Sequence, residues 1–359
     1  MLDAIGSMSW IPPQPCACGI DVHAHIVPES FPPYLGRSIG VPWPNTTSAP
    51  PINGQCHRHV LVGGKHYRTI NEACWSAPRR LADLPEMGLS QQIVSPMPEL
   101  LSYWMSVADA APLIRYLNEQ TAAMVAESSG RLLGMAVVPL QDLDASIAEL
   151  TYARERLGLV AVEIGSNING LPIGDVSLDP FYAACVAMNL PVFVHALKPT
   201  GVDRLLGPAA LQQVLAYPTD VGLAAASVIT AGLLQRHPSL RIAFSHGGGT
   251  LVSLLPRLQR GWQTFSALAE WMHESPMQTA KRLYFDTLVF EPTTLAHMLA
   301  CFGSQGLMVG TDHPFAFHES QPLALLAKSG LDVSTLESLA FGNARRFLGQ
   351  VPIEMEHTL

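Results

Sequence analysis

Eight short apolar runs recur between residues 19 and 310, and amphipathic stretches separate them. This alternation constrains the fold more than any other feature, because it is the pattern of strand–helix units around a parallel sheet. The runs are Gly19–Val22, Gln92–Ser95, Leu133–Val138, Val160–Ile164, Pro191–Val194, Arg241–Ser245, Leu283–Leu288 and Leu307–Gly310. Helical spacing marks Ala108–Glu127, Asp144–Leu157, Leu178–Met188, Val221–Gln235, Gly249–Met272 and Thr293–Cys301. Two more helices near Pro322–Lys328 and Ser334–Phe347 close the chain. Eight such units predict a (β/α)8 TIM barrel. An open doubly wound sheet fits the same alternation. The 359 residues suffice for one barrel as a single domain over 1–359.

One region departs from the pattern. Residues 26–75 are rich in Pro, Gly and Asn, which predicts an insertion after the first strand. Within it "HVLVGGKHYRT" alternates around Gly63 and Gly64, a β-hairpin signature. Loops after barrel strands share one face, so this hairpin is expected over the barrel mouth.

Composition narrows the partners. The formal net charge is −8, from 21 basic and 29 acidic residues, and no basic block occurs. Nucleic acid and anionic membrane are therefore not expected partners. No apolar run reaches the ~18 residues of a membrane span. The first 19 residues lack the basic start and apolar centre of a signal peptide. Six scattered cysteines (Cys16, Cys18, Cys56, Cys74, Cys185 and Cys301) form no CxxC pair. They read as reduced thiols of a cytoplasmic protein.

The chemistry gathers at the strand ends. His23 and His25 follow the first run in "GIDVHAHIVPES". His195 follows the fifth in "FVHALKP", His246 the sixth in "FSHGGG", and Asp312 the eighth in "VGTDHPF". In a parallel barrel these ends open on one face. Side chains at i and i+2 of a strand share a side, so His23 and His25 face inward together. Singly, each histidine reads equally well as a core or rim residue. Together, four imidazoles and a carboxylate converge on one axis, a donor set for zinc, manganese or iron. Asp286 ends the seventh run, where it can accept a hydrogen bond from a ligand or from His246. Asp21 reads as structural, and His313 is expected to point away from the centre. Trp75 and Trp104 read as packing residues, His57, His59 and His66 as a polar, partly exposed strand face that could bring His66 near the substrate, and Lys198 as solvated.

These motifs, in this order from about Gly19 to Phe347, resemble the amidohydrolase superfamily. The nearer resemblance is to its decarboxylase branch, the branch of the 2-amino-3-carboxymuconate-6-semialdehyde decarboxylases. "AFSHGGGTLVSLLPRLQRGW" and "LMVGTDHPF" carry it together with "DVHAH". The resemblance implies that His23, His25, His195 and Asp312 hold one divalent metal ion, zinc before manganese or iron. It implies that His246 is the acid/base residue, and that Arg68 and Arg257 bind a substrate carboxylate. It further implies a homodimer, with Arg257 reaching in from the neighbouring subunit. Binuclear relatives carry a bridging lysine on the fourth strand. Here that strand reads "VAVEIGSN", with Glu163 and no lysine, so one metal is expected. Where the semialdehyde decarboxylases have Pro-Trp-Asp after the fifth-strand histidine, this chain has Ala196-Leu197-Lys198, which implies a changed pocket wall.

The resulting expectation is a metal-dependent, non-oxidative decarboxylase in aromatic compound degradation. Its substrate would be a small carboxylated aromatic or muconate-semialdehyde-type molecule. The same residues would also serve a metal-dependent hydrolase of an amide or lactone, or a hydratase of an unsaturated diacid.

Overall fold

The computed structural model describes residues 18–350. Cys16 and most of the amino-terminal stretch read above lie outside them. Thirteen strands are present among the described residues. Strand β1 (Gly19–Ile26) opens the barrel. Strands β2 (Pro44–Ile52), β3 (Gln55–Val62) and β4 (Lys65–Asn71) form a separate antiparallel sheet, the arm. The barrel continues with β5 (Leu89–Pro96), β6 (Leu132–Val137) and β7 (Ala161–Gly165). A small hairpin, β8 (Asn167–Ile168) and β9 (Leu171–Pro172), follows. Strands β10 (Val192–His195), β11 (Ile242–Phe244), β12 (Tyr284–Asp286) and β13 (Leu307–Met308) complete the barrel.

The eight barrel strands are hydrogen-bonded in the order β1-β5-β6-β7-β10-β11-β12-β13, all parallel where paired. The two ends of this series meet. Val22 N donates to Val309 O at 2.9 Å, Asp312 N to His23 O at 2.8 Å, and His25 N to His313 O at 2.8 Å. The sheet therefore closes on itself, which selects the (β/α)8 barrel over the open sheet.

Two apolar clusters account for its stability. Ile20, Val22, Ile93, Met135, Ala161, Phe193, Ala243 and Met308 fill the barrel interior. A larger cluster lies between the strands and the surrounding helices. Helix α1 (Ala77–Asp83) is one that the hydrophobic pattern does not reveal. Helices α2 (Val107–Ala126), α3 (Leu143–Glu155), α4 (Asp179–Ala187), α5 (Tyr217–Thr230) and α6 (Leu233–Arg236) occupy the expected stretches within a few residues. The long helix expected over 249–272 is two, α7 (Leu251–Thr264) and α8 (Ser266–Trp271). Phe265 leaves helical geometry between them, and the Trp262 indole donates to Met272 O at 2.8 Å across the turn. No helix among the described residues is long and apolar enough to cross a membrane.

Candidate active site

Strand β1 does not stop at Val22 but runs through both histidines to Ile26. Its register against β5 slips between Asp21 and Ala24. That slip changes which side faces inward. Ile20 and Val22 belong to the interior cluster below, and His23 and His25 continue the inward face above it. Asp21 accepts from His23 N (2.9 Å), Gln92 Nε2 (2.7 Å) and Thr311 Oγ1 (2.6 Å), which pins the irregular stretch. Arg80 of α1, fully buried, donates to His25 O, to Ala73 O and to Gln92 Oε1. Both groups brace β1 from outside the cluster.

His23, His25, His195 and Asp312 come together with one ligand atom each, all within 4.8 Å of one another. His23 Nε2 lies 3.1 Å from His25 Nε2, and His25 Nε2 lies 3.2 Å from Asp312 Oδ1. The other ring nitrogens are engaged elsewhere. His23 Nδ1 meets Asp286 Oδ2 at 2.7 Å, His25 Nδ1 meets Ser95 Oγ at 3.3 Å, and His195 Nδ1 meets the Ala196 carbonyl at 2.9 Å. Each partner can take the Nδ1 proton, which leaves the Nε2 lone pairs aimed at one another. His195 Nε2 and Asp312 Oδ1 are sealed from water without a hydrogen-bond partner. Ring nitrogens converging on a buried carboxylate oxygen, with His195 Nε2 left without a hydrogen-bond partner, make a ready cation site. The residues present thus fit a divalent metal.

The electrostatics divide the members of the cluster. Burial is the largest influence on His23 and opposes its charge, but the Asp286 hydrogen bond and the charges of Asp286, Asp312 and Asp21 together outweigh it and lift this imidazole to about 9, so a metal at Nε2 would have to displace a proton. Burial and the neighbouring imidazoles push His195 far down, which keeps it neutral. Asp312 is driven upward by burial, yet its contact with His25 and the adjacent imidazoles hold it at about 2, a permanent carboxylate.

His246 sits above this cluster in a left-handed conformation, φ 54°. Its ring centroid is 5.0 Å from that of His195 and 5.3 Å from that of His23. Ser245 Oγ lies 2.9 Å from its Nδ1, so Nε2 is the nitrogen left for a substrate. Asp286 holds the turn, accepting from His246 N (3.0 Å) and Gly247 N (2.7 Å) while it also binds the His23 ring. Its position at the end of β12 hinted at this role; its threefold use was not visible in sequence.

The cluster opens into a cavity of about 360 Å³, whose wall includes Arg68, Glu99, His195, Tyr217, His246 and Asp312. The Arg68 guanidinium lies 3.9 Å from the Phe315 ring centroid, and Phe315 stacks on His25 at 5.3 Å. Arg257 is elsewhere. It is exposed on α7 and lines an outer groove with the exposed Leu223, Leu254 and Phe265. Within one chain it does not border the cavity. His66 does not border it either; it is exposed on the arm, 5.0 Å ring to ring from His59. His313 turns outward to Asp83 at 3.3 Å, and Lys198 is exposed, as expected, with its ammonium 3.7 Å from the Trp104 ring centroid. Glu163 is fully buried with neither oxygen hydrogen-bonded, and burial raises it to about 8. Glu99, Tyr67, Tyr217 and Phe315 had no signal in the sequence, since each lies in a different loop or element.

A closed parallel barrel with this histidine–aspartate cluster at its C-terminal mouth defines an enzyme of the amidohydrolase type. The chain belongs to the Amidohydrolase family, whose pattern matches residues 20–350. It is 30% identical over 335 residues to 2-amino-3-carboxymuconate-6-semialdehyde decarboxylase of Dictyostelium discoideum, covering 93% of this chain and 92% of that one. Among solved structures it resembles the apo form of Metarhizium anisopliae IDCase, with a TM-score of 0.77, 20% identity, and 92% and 97% coverage. It also resembles a dihydroxybenzoic acid decarboxylase of Polaromonas sp. JS666, solved with bound manganese and 2-nitroresorcinol. There the TM-score is 0.67 at 20% identity, over 78% of this chain and 88% of that one.

Proposed function

We propose that this protein is a metal-dependent, non-oxidative decarboxylase of a small carboxylated aromatic or muconate-semialdehyde-type compound. The observation that carries the reading is one cavity bordered by His195 and Asp312 of the ligand cluster, by His246 and by Arg68. The names of its relatives support the same class.

His23, His25, His195 and Asp312 would hold one divalent ion, which supplies Lewis-acid charge beside the substrate. The three-histidine, one-carboxylate set suits zinc, and manganese occupies the Polaromonas relative. Arg68 binds and orients a carboxylate through its planar fork. The C–C bond to the departing carboxylate breaks, its electron pair stays on the substrate carbon, and His246 Nε2, having taken up a proton from solvent, passes it to that carbon in place of carbon dioxide. Phe315 and Tyr217 narrow the cavity and exclude water from that carbon.

The reading extends to assembly. We place Arg257 at a homodimer interface, because its groove is flanked by exposed Leu223, Leu254 and Phe265. Cys56, Cys74, Cys185 and Cys301 form no disulfide, which suits the cytoplasm.

Metal analysis followed by a panel of hydroxybenzoates and muconate semialdehydes tests the assignment. Carbon dioxide release is expected. Release of an amine or acid without gas would instead establish the hydrolytic reading. His195→Ala should lose metal, whereas His246→Ala should keep metal and lose turnover. Full metal and activity in both variants would refute the division of roles.

A further inference from the structure

Arg68 is half-buried at the cavity wall, and among the described residues no carboxylate lies within 4.0 Å of it. A flexible cation on an inserted arm needs something to hold it there. The pairing of β3 with β4 shows the first part of the answer. Val60 lies opposite Arg68 and Leu61 opposite His66, so Tyr67 has no opposite residue. Such a bulge breaks the strict alternation of faces. Tyr67 and Arg68, adjacent in sequence, thereby both address the barrel.

The second part is Glu99, in the short turn Pro98–Leu100 just after β5. Its Oε1 accepts from the Tyr67 hydroxyl and from the Tyr217 hydroxyl, the latter at 2.6 Å, and the two phenol oxygens are 3.3 Å apart. The network joins the arm, the exit of β5 and the start of α5. Burial and the Glu99 charge raise both phenols, so they stay protonated as donors. Glu99 Oε2 is sealed from water with no partner. The phenols hold the carboxylate by its other oxygen and keep it from closing on Arg68.

We infer that Glu99, through Tyr67 and Tyr217, is a positioning residue that pins the bulged arm to the barrel and presents an unpaired Arg68 to a carboxylate in the cavity. This rests on the reading that Arg68 binds the substrate carboxylate. It assigns to Glu99 no contact with the reacting atoms.

The test is calorimetric binding of benzoate to the metal-loaded protein. Arg68→Ala should weaken binding, and Glu99→Leu should weaken it about tenfold with metal content unchanged. Tyr67→Phe, which keeps the ring and removes one donor, should weaken it in the same direction. Glu99→Gln keeps an acceptor for the phenols and should stay within about threefold of the parent. The Glu99→Leu/Arg68→Ala double variant should bind no more weakly than Arg68→Ala, because Glu99 acts through Arg68. Additive losses, or unchanged binding in Glu99→Leu or Tyr67→Phe, would overturn the inference. Unchanged binding in Arg68→Ala would overturn it together with the carboxylate-binding role of Arg68. Loss in Arg68→Ala alone would leave that role intact and remove only the latch.

Discussion

At the scale of single residues, the cluster is governed by what stands behind it. Asp286 accepts four hydrogen bonds, from the His23 ring and from the backbone of His246, Gly247 and Leu288. It fixes the His23 tautomer and the position of the His246 turn with one side chain. Asp286→Ala should therefore weaken metal retention roughly ten- to a hundredfold, read by dialysis against a chelator and metal analysis. Loss of turnover with full metal retention would limit Asp286 to the His246 turn. The four residues of the cluster and His246 were legible in sequence because each stands beside a strand-end signal. Asp286 was half legible, from position but not from partners. Glu99, Tyr67 and Tyr217 were not legible at all. They meet from a strand of the arm, a short turn and the start of a helix that no periodic signal relates, and each alone looks like a surface or packing residue.

At the scale of elements, the barrel strands were readable because buried parallel strands are short, apolar and evenly spaced. The arm was half readable. The β3–β4 hairpin was announced by Gly63 and Gly64, both at positive φ. Strand β2 was not, because Pro44, Pro50 and Pro51 look like loop residues. It survives as an edge strand, where missing backbone donors face no neighbour. The break between α7 and α8 was also hidden, since none of Thr264, Phe265 and Ser266 at the turn is a Gly or Pro. The "HGGG" turn between β11 and α7 shows the reverse case, where sequence demanded a geometry that the structure explains. Gly249 has φ 55°, and a Cβ there would lie 1.7 Å from the Pro218 carbonyl oxygen at the start of α5. That contact is with backbone and has no way to relax by rotamer change. Gly249→Ala should destabilise the protein by roughly 3 kcal/mol or more, seen as a lowered midpoint in chemical denaturation of the metal-loaded enzyme. A midpoint within experimental error of the parent would show that α5 yields easily, and the turn would not be rigid.

At the scale of the whole molecule, the barrel brings together residues from 23 to 312 within one chain, while the two arginines lie apart. Arg68 borders the cavity, while Arg257 lies on an outer groove of α7. Sequence marked both arginines equally, because motif spacing says nothing about which face of a helix a neighbouring chain covers. If Arg257 acts across a two-fold interface, two variants that are inactive alone must complement each other. Arg257→Ala loses the arginine it would lend, and His246→Ala loses the proton donor it would use. Mixed under conditions of subunit exchange, half of the dimers are hybrids. Each hybrid then holds one site with both groups intact and one with neither. Recovery to about a quarter of parental turnover is expected from statistical mixing of a symmetric dimer. An arginine acting within its own chain would restore nothing, since every site would then lack one of the two groups.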